Sequence, residues 1–476
     1  MRNYSQLSKK TTIVLSIFMC LSLPGFSQDK TTKKNNAKVN KNVLFIIVDD
    51  LTKTLGCYGN SIVKTPNIDK LAQMGIQFNG AYCNYSVCNP SRSSLLTGLR
   101  PETTTILDNT KPIQSILGDR ITLPALFKQN GYYTMDLGKI FHRPEEKHND
   151  LEAWDEFHMY GKTPLGKTGE KRNLTGDVMK WCHWQATEGG DEDLPDGQVA
   201  KKAVEFIKAK KEQPFFLAVG FAKPHDPYVA PKKYFDMYPL EDMIPPVLPE
   251  NWDTPNKHTF PHKTKVFPEG AEIFKNFTEQ DKKEFLRSYY ACTTFMDAQL
   301  GKILDALKES GQMENTLIVF FGDHGYHLGE QNWWNKFTLY ERANNAPFIM
   351  AGAYVKEKGV ISESMFEFID IYPTLAELLH LKNTPEYLEG ESFAKLLSNP
   401  SEPFRTSVHA VMTRGDLMGK SVKNKKWRYI EWDNGTQGVE LYNQEKDPLE
   451  YNNLASNAKY SEVIVEMKKL IHNRNK

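Results

Sequence analysis

Cys88-Asn89-Pro90-Ser91-Arg92, followed by Ser93-Ser94-Leu95-Leu96-Thr97-Gly98, sets a soft nucleophile close to a fixed positive charge. Proline fixes one backbone angle and lacks an N–H, so the segment reads as a turn entering a helix. A helix N-terminus and a guanidinium would both favour an anion there. Taken alone, such a cysteine reads as a small buried hydrophobe. Its companions change that reading. Asn42–Val48, a continuous apolar run, ends in Asp49-Asp50, and Thr316–Phe321 ends in Gly322-Asp323-His324-Gly325. Three carboxylates and an imidazole form an oxygen-rich set suited to Ca2+ or Mg2+ more than to a thiolate-bound metal. Lys139, His142, His225, Lys336 and Arg92 add cationic or proton-carrying groups. Such a ring would bind a tetrahedral oxyanion and stabilise charge on its oxygens.

These residues need elements that bring them to one place. Fully apolar runs such as Asn42–Val48 and Thr316–Phe321 fit strands buried on both faces of a parallel sheet, and open α/β sheets place their sites past the carboxyl ends of such strands. Tyr132–Leu137 is a third strand and delivers Gly138-Lys139-Ile140-Phe141-His142, where one helical turn would set Lys139 and His142 on the same face. Phe215–Val219 is a fourth, leading into Lys223-Pro224-His225-Asp226-Pro227-Tyr228, a proline-bracketed turn that presents His225. Ala346–Met350 is a further strand. Helices are expected from Thr65 to a stop at Gly75, from Thr122 to Asn130-Gly131, over Gly197–Lys211 and Phe285–Leu307, and from Asp370 to about Leu381. Strand and helix alternate throughout, which gives an α/β fold with a large, mostly parallel sheet flanked by helices. Residues 145–195 are polar and irregular, and their Trp181, His183 and Trp184 read either as a sugar-stacking group or as half-buried loop anchors. Residues 239–268, rich in proline, read as a long surface excursion near the site. After about residue 405, short alternating runs (Ser407–Met412, Trp427–Trp432, Val439–Tyr442) and a helix over Ser461–Ile471 give a smaller antiparallel sheet subdomain. The expected division is 42–404 for a catalytic part and 405–476 for this subdomain.

The N-terminus reads as a secretory signal over residues 1–27: Arg2, Lys9 and Lys10 precede an apolar run from Thr11 to Leu23, and Gly25-Phe26-Ser27 offers small residues for cleavage. Met19 before Cys20 is too large for a lipoprotein signal, so export to a periplasmic or extracellular space without an anchor is expected. Residues 28–41 are a polar, flexible lead-in. No run is long enough to span a membrane. Loss of the three basic residues takes the formal charge from +1 to about −2, which argues against bulk nucleic-acid binding. The remaining cysteines, Cys57, Cys83, Cys88, Cys182 and Cys292, are odd in number, and their spacing is not that of a disulfide scaffold.

Cys88 to Arg92 with Leu96-Thr97-Gly98 resembles the signature of the type I sulfatases, which have an alkaline-phosphatase-like fold. Val48-Asp49-Asp50-Leu51, Gly138-Lys139, Gly322-Asp323-His324-Gly325, and Glu440-Leu441-Tyr442-Asn443 with Asp447-Pro448 extend the resemblance over most of the chain. Within the family the chain is most similar to the iduronate-2-sulfatase branch, through Lys139-Ile140-Phe141-His142, Lys223-Pro224-His225 and Asp323-His324. The resemblance implies that a sulfatase-maturation enzyme oxidises Cys88 to formylglycine. One hydroxyl of its hydrate would attack sulfur and release the alcohol, and the other would expel sulfate and regenerate the aldehyde. It implies that Asp49, Asp50, Asp323 and His324 hold Ca2+ together with residue 88. Arg92 and Lys139 would stabilise the aldehyde hydrate, and His142 would assist its turnover. His225 and Lys336 would contact the sulfate ester, one of them protonating the leaving oxygen. One position departs from the pattern: the arginine usual directly after Leu-Thr-Gly is here Leu99, with Arg100 next.

The expected substrate is a sulfated carbohydrate, either a uronate 2-O-sulfate in a glycosaminoglycan fragment or a plant or algal polysaccharide. A phosphatase or phosphonate monoester hydrolase of the same fold stands as the alternative, and a non-catalytic glycan-binding relative as a third. No nucleic acid and no membrane span are expected.

Overall fold

The computed structural model describes residues 41–472 except 251 and 254. The signal segment and most of the lead-in expected at the N-terminus lie outside the described residues. The described residues form fifteen strands: β1 (Asn42–Val48), β2 (Gly75–Tyr82), β3 (Tyr133–Gly138), β4 (Glu156–His158), β5 (Gly169–Asn173), β6 (His183–Thr187), β7 (Phe215–Phe221), β8 (Tyr228–Pro231), β9 (Thr316–Gly322), β10 (Phe348–Gly352), β11 (Val360–Glu367), β12 (Ser407–Arg414), β13 (Leu417–Asn424), β14 (Trp427–Trp432) and β15 (Val439–Asn443).

Eight of them make one sheet in the order β11-β2-β10-β9-β1-β7-β3-β4. Only β10 runs antiparallel to its neighbours. Every residue of β1, β7 and β9 is buried, as continuous apolar runs in a two-sided sheet require. Successive side chains of β1 alternate between two cores. Val43, Phe45 and Ile47 pack with Leu95, Leu96 and Leu126 on one face, and Leu44, Ile46 and Val48 pack with Ile68, Val199 and Leu300 on the other. Helices Cys88–Thr97 and Leu123–Gln129 therefore cover one side, and Pro66–Gln73, Pro195–Lys208 and Glu279–Glu309 the other.

Register positions the site. Val48 lies opposite both Phe221 and Gly322, and Gly138 lies opposite Gly220. The residues that follow β1, β3, β7 and β9 consequently emerge along one carboxyl edge. Hydrogen bonds continue just beyond the strands, from Asp49 N to Phe221 O at 3.0 Å, Asp323 N to Val48 O at 3.0 Å and Lys139 N to Gly220 O at 2.9 Å.

β12 to β15 form an antiparallel meander. One face is covered by the helix Ser461–His472, through Met467 and Ile471 against Val422, Tyr429 and Leu441. The other face packs Ala410, Met412, Ile430, Trp432 and Tyr442 against Tyr85, Val87, Leu339 and Tyr340, the segments that flank Cys88 and Lys336.

Several elements differ from the sequence reading. Gly75 does not merely stop a helix; it begins β2, and a β-carbon there would lie 2.0 Å from Met350 O of β10. β2, β11 and β13 carry polar residues that hide them from an apolar-run criterion. Residues 145–195, read as irregular, contain β4, β5 and β6, and β5-β6-β8 form a separate three-stranded sheet. Trp184 is a core residue whose Nε1 donates to Glu284 at 2.8 Å, and Trp181 packs on Phe267 and Phe274. Both are anchors in this fold, not an open stacking platform.

Candidate active site

Cys88 is the first residue of its helix. Val87 before it is extended, and Pro90 sits in the first turn, where a missing N–H costs nothing. All ten residues of the helix are buried. The Cys88 thiol is fully enclosed, with Lys336 Nζ 3.1 Å and His324 Nε2 3.5 Å from Sγ, and it points to Asp50 Oδ1 at 3.9 Å.

One turn on, Arg92 joins two strand ends. Its Nε donates to Asp323 Oδ2 at 2.8 Å and its Nη2 to Asp49 Oδ1 at 3.1 Å, while Nη1 donates to Ile140 O at 3.0 Å and to Lys139 O. The planar fork suits this role, because the two carboxylates approach it from different directions. Lys139 Nζ pairs with Asp49 and Lys336 Nζ with Asp50. His225 places Nε2 3.8 Å from Asp49 and 3.9 Å from Asp50. His142 lies beside the Cys88 thiol and helps to lower its pKa, and its Nδ1 is buried without a hydrogen-bond partner among the described residues. The helical turn expected at 139–142 does not form: the chain bends away from β3 there. The structure nonetheless brings Asp49, Asp50, Cys88, Arg92, Lys139, His142, His225, Asp323, His324 and Lys336 into one cluster.

Other residues hold this cluster, and sequence disclosed only some of them. Asp50 adopts a left-handed backbone, with φ of +61°, a conformation disfavoured for a residue with a β-carbon. Its N–H donates to Asp323 Oδ1 at 3.1 Å and its carbonyl accepts from Tyr289 Oη at 2.6 Å. Ser91 Oγ donates to Asp323 O at 2.5 Å. Lys223 Nζ spans the His225 turn, donating to His225 O at 2.6 Å and Pro227 O at 2.7 Å, and buried Asp196 accepts from Ala222 N at 2.9 Å and Lys223 N at 2.8 Å. Ser91 had a visible signal as a member of the Cys88–Arg92 motif, and Lys223 and Asp226 as members of the proline-bracketed turn. Tyr289 and Asp196 reach the site from helices far away in sequence.

The charges are mutually dependent. Burial alone would raise the Asp49 carboxyl, but Lys139, His225 and Arg92 hold it well below its ordinary value. Burial works against the Lys336 ammonium, yet Asp50, Cys88 and Asp49 keep it well above its usual range. Burial would likewise lower His225, and Asp226 with Asp50 pushes it up to about 9. Burial raises Asp323 against the opposing pull of His324 and Arg92. Burial and Asp49 resist ionisation of Cys88, and Lys336, Lys139 and His142 outweigh them, so its thiol lies well below the ordinary value.

The donor set could hold a cation. Asp49, Cys88, Asp323 and His324 each offer an atom within 4.8 Å of the others, as do Asp49, Asp50, Cys88 and His225. Asp50 Oδ2 is buried without a hydrogen-bond partner among the described residues, an orphan that a bound ion would satisfy. Predominantly carboxylate ligands fit a hard divalent ion.

A mostly parallel sheet with carboxylates, cations and Cys88 gathered past its carboxyl edge is the arrangement of the alkaline-phosphatase-like fold. The phosphonate monoester hydrolase of Silicibacter pomeroyi superposes with a TM-score of 0.76 at 19% identity, over 91% of this chain and 95% of that one. Residues 41–244 and 253–381 match the family described as Sulfatase, and residues 329–476 match that described as N-sulphoglucosamine sulphohydrolase, C-terminal. A sulfatase of Formosa agariphila is 34% identical, over 98% of this chain and 92% of its own length. The iduronate 2-sulfatase of Homo sapiens is 29% identical, over 89% of this chain and 92% of its own. The chain belongs to the sulfatase family and is a sulfuric ester hydrolase. No helix among the described residues is long and apolar enough to cross a membrane.

Proposed function

We propose that the chain is an exported sulfatase that removes sulfate esters from a sulfated polysaccharide or its oligosaccharide fragments, at uronate 2-O-sulfate. The observation that carries the reading is the enclosure of the residue-88 side chain by Lys336 at 3.1 Å and His324 at 3.5 Å, beside three carboxylates. In the mature enzyme residue 88 is a formylglycine made by a sulfatase-maturation enzyme, and the cysteine seen here is its precursor. The formylglycine would supply a hydrated aldehyde, one hydroxyl serving as nucleophile towards sulfur and the other, on losing its proton, expelling sulfate as the aldehyde re-forms. Asp49, Asp50, Asp323 and His324, with residue 88, would hold Ca2+, which would supply Lewis-acid activation of the nucleophile and offset charge on the sulfate.

The chain's own groups have separate roles. Arg92 fixes Asp49 and Asp323 relative to the nucleophile helix and, with Lys139, supplies fixed positive charge beside residue 88. Lys336, held protonated by Asp50 and Asp49, neutralises an equatorial sulfate oxygen. His225, protonated at neutral pH with its pKa about 9, donates a proton to the leaving alcohol. His142, neutral because burial lowers its pKa, takes a proton during recovery of the aldehyde. Residues 42–404 make up the catalytic part and 405–476 the C-terminal subdomain. The 2-O-sulfate assignment rests on similarity to the human iduronate 2-sulfatase along most of both chains.

A panel of sulfated oligosaccharides tests this. Release of sulfate from a uronate-2-O-sulfated disaccharide is expected to exceed that from an amino sugar 6-O-sulfate or an ulvan fragment. Faster hydrolysis of a phosphate or phosphonate monoester than of every sulfate ester would refute the substrate assignment.

A further inference from the structure

Lys336 sits in a loop with little secondary structure, between Trp333 and Leu339. Its neighbour Phe337 has a φ of +65°, a left-handed conformation that a β-carbon disfavours, so the loop depends on outside contacts to keep its shape. The carbonyl of Phe337 accepts from Arg414 Nη2, at the end of β12. The same guanidinium donates through Nη2 to Thr259 O at 2.7 Å and through Nε to Phe260 O at 3.2 Å, and stacks over Trp432 at 5.5 Å. Its acceptors are main-chain carbonyls, and among the described residues it forms no ion pair. An arginine used in this way is a bridge, its fixed fork reaching carbonyls of two separate segments from one point. The adjoining Thr413 docks the Cys88 side: Thr413 N donates to Tyr85 Oη at 3.0 Å, and the two hydroxyls lie 2.9 Å apart.

We infer that Arg414, in the C-terminal sheet, is a positioning residue for Lys336: by holding Phe337 O against Thr259 O and Phe260 O it fixes the loop that sets Lys336 Nζ 3.1 Å from residue 88. The C-terminal sheet is thereby part of the catalytic apparatus, although it places no group in the site. The inference rests on the proposed role of Lys336 in sulfate-ester hydrolysis.

A double-mutant cycle tests it, with Arg414→Met and Arg414→Lys measured alone and combined with Lys336→Ala, on sulfate ester turnover by the full-length, metal-loaded enzyme. Arg414→Met is expected to lower kcat about tenfold or more with KM little changed, since small misplacement of a catalytic group costs up to about a hundredfold. Arg414→Lys, which keeps the charge but not the fork, is expected to fall nearly as far. In the Lys336→Ala background either change should cost less than about twofold, the mark of action through a shared partner. Equal losses in both backgrounds, a wild-type rate for Arg414→Lys, or failure of both Arg414 variants to fold would each overturn the inference and leave Arg414 a structural pin or a distant charge. A wild-type rate for Lys336→Ala alone would instead remove the premise, and the proposed site with it.

Discussion

Replacing Arg92 by lysine keeps a positive charge at the centre of the site and removes its geometry. In the native enzyme Nε and Nη2 bind Asp323 at 2.8 Å and Asp49 at 3.1 Å, and Nη1 binds the carbonyls of Lys139 and Ile140. A single ammonium cannot serve both carboxylates and both carbonyls from one position. At least one charge-assisted hydrogen bond to a buried carboxylate is lost, worth about 1.5–3 kcal/mol. If that loss is felt in full by the reacting geometry, kcat/KM for a sulfate ester falls by about tenfold to a hundredfold. Arg92→Met should be worse, because breaking a buried pair by removing one partner costs about 3–5 kcal/mol. The assay is steady-state sulfate release at saturating cation, with circular dichroism as a check on folding. An Arg92→Lys enzyme within about twofold of wild type, the ordinary noise of independent substitutions, would refute the claim that Arg92 acts by joining the two strand ends.

Asp196→Ala should leave the half-buried N–H groups of Ala222 and Lys223 without their acceptor, lowering stability by about 1–3 kcal/mol and reducing kcat/KM through a loosened His225 turn; thermal unfolding and kinetics check both. Burial raises Glu341 but Lys423 and Arg428 outweigh it, taking its pKa from 4.5 to about 2. A depressed carboxylate stabilises the fold above its unfolded pKa and loses that contribution as pH falls through its folded one. Between about pH 4.5 and 2 the wild type should therefore lose about 3 kcal/mol that Glu341→Gln does not, as read from denaturant midpoints against pH. Chelation should abolish turnover and lower the unfolding temperature, with Ca2+ or Mg2+ restoring both and Zn2+ failing to, as expected of a carboxylate-rich site.

What sequence disclosed follows from where each residue sits. β1, β7 and β9 are buried on both faces, so they read as unbroken apolar runs, and the parallel register places the residues after them along one edge. Asp49, Asp50, Asp323 and His324 were legible for that reason. β2 and β11 were not, since Gln77, Asn79, Ser362 and Glu363 interrupt their apolar pattern and the β2–β11 register shifts between Ser362 and Met365. β13 carries Lys420 and Lys423 and lacked the signal shown by its neighbours. Leu99, which stands where the family usually has arginine, is buried, and Arg100 beyond it pairs with Glu367 at 2.7 Å. The supports of the site were beyond reach because they are tertiary: Tyr289 meets Asp50 across 239 residues and Arg414 meets Phe337 across 77. No local pattern encodes such pairs.

Whether residue 88 acts as formylglycine in sulfate-ester hydrolysis is read from mass spectrometry of the peptide containing residue 88, from enzyme purified from its native host and active on a sulfate ester. The expected peptide has its thiol replaced by an aldehyde or its hydrate and reacts with a hydrazide. An active enzyme whose residue 88 is wholly unmodified cysteine would contradict the formylglycine assignment.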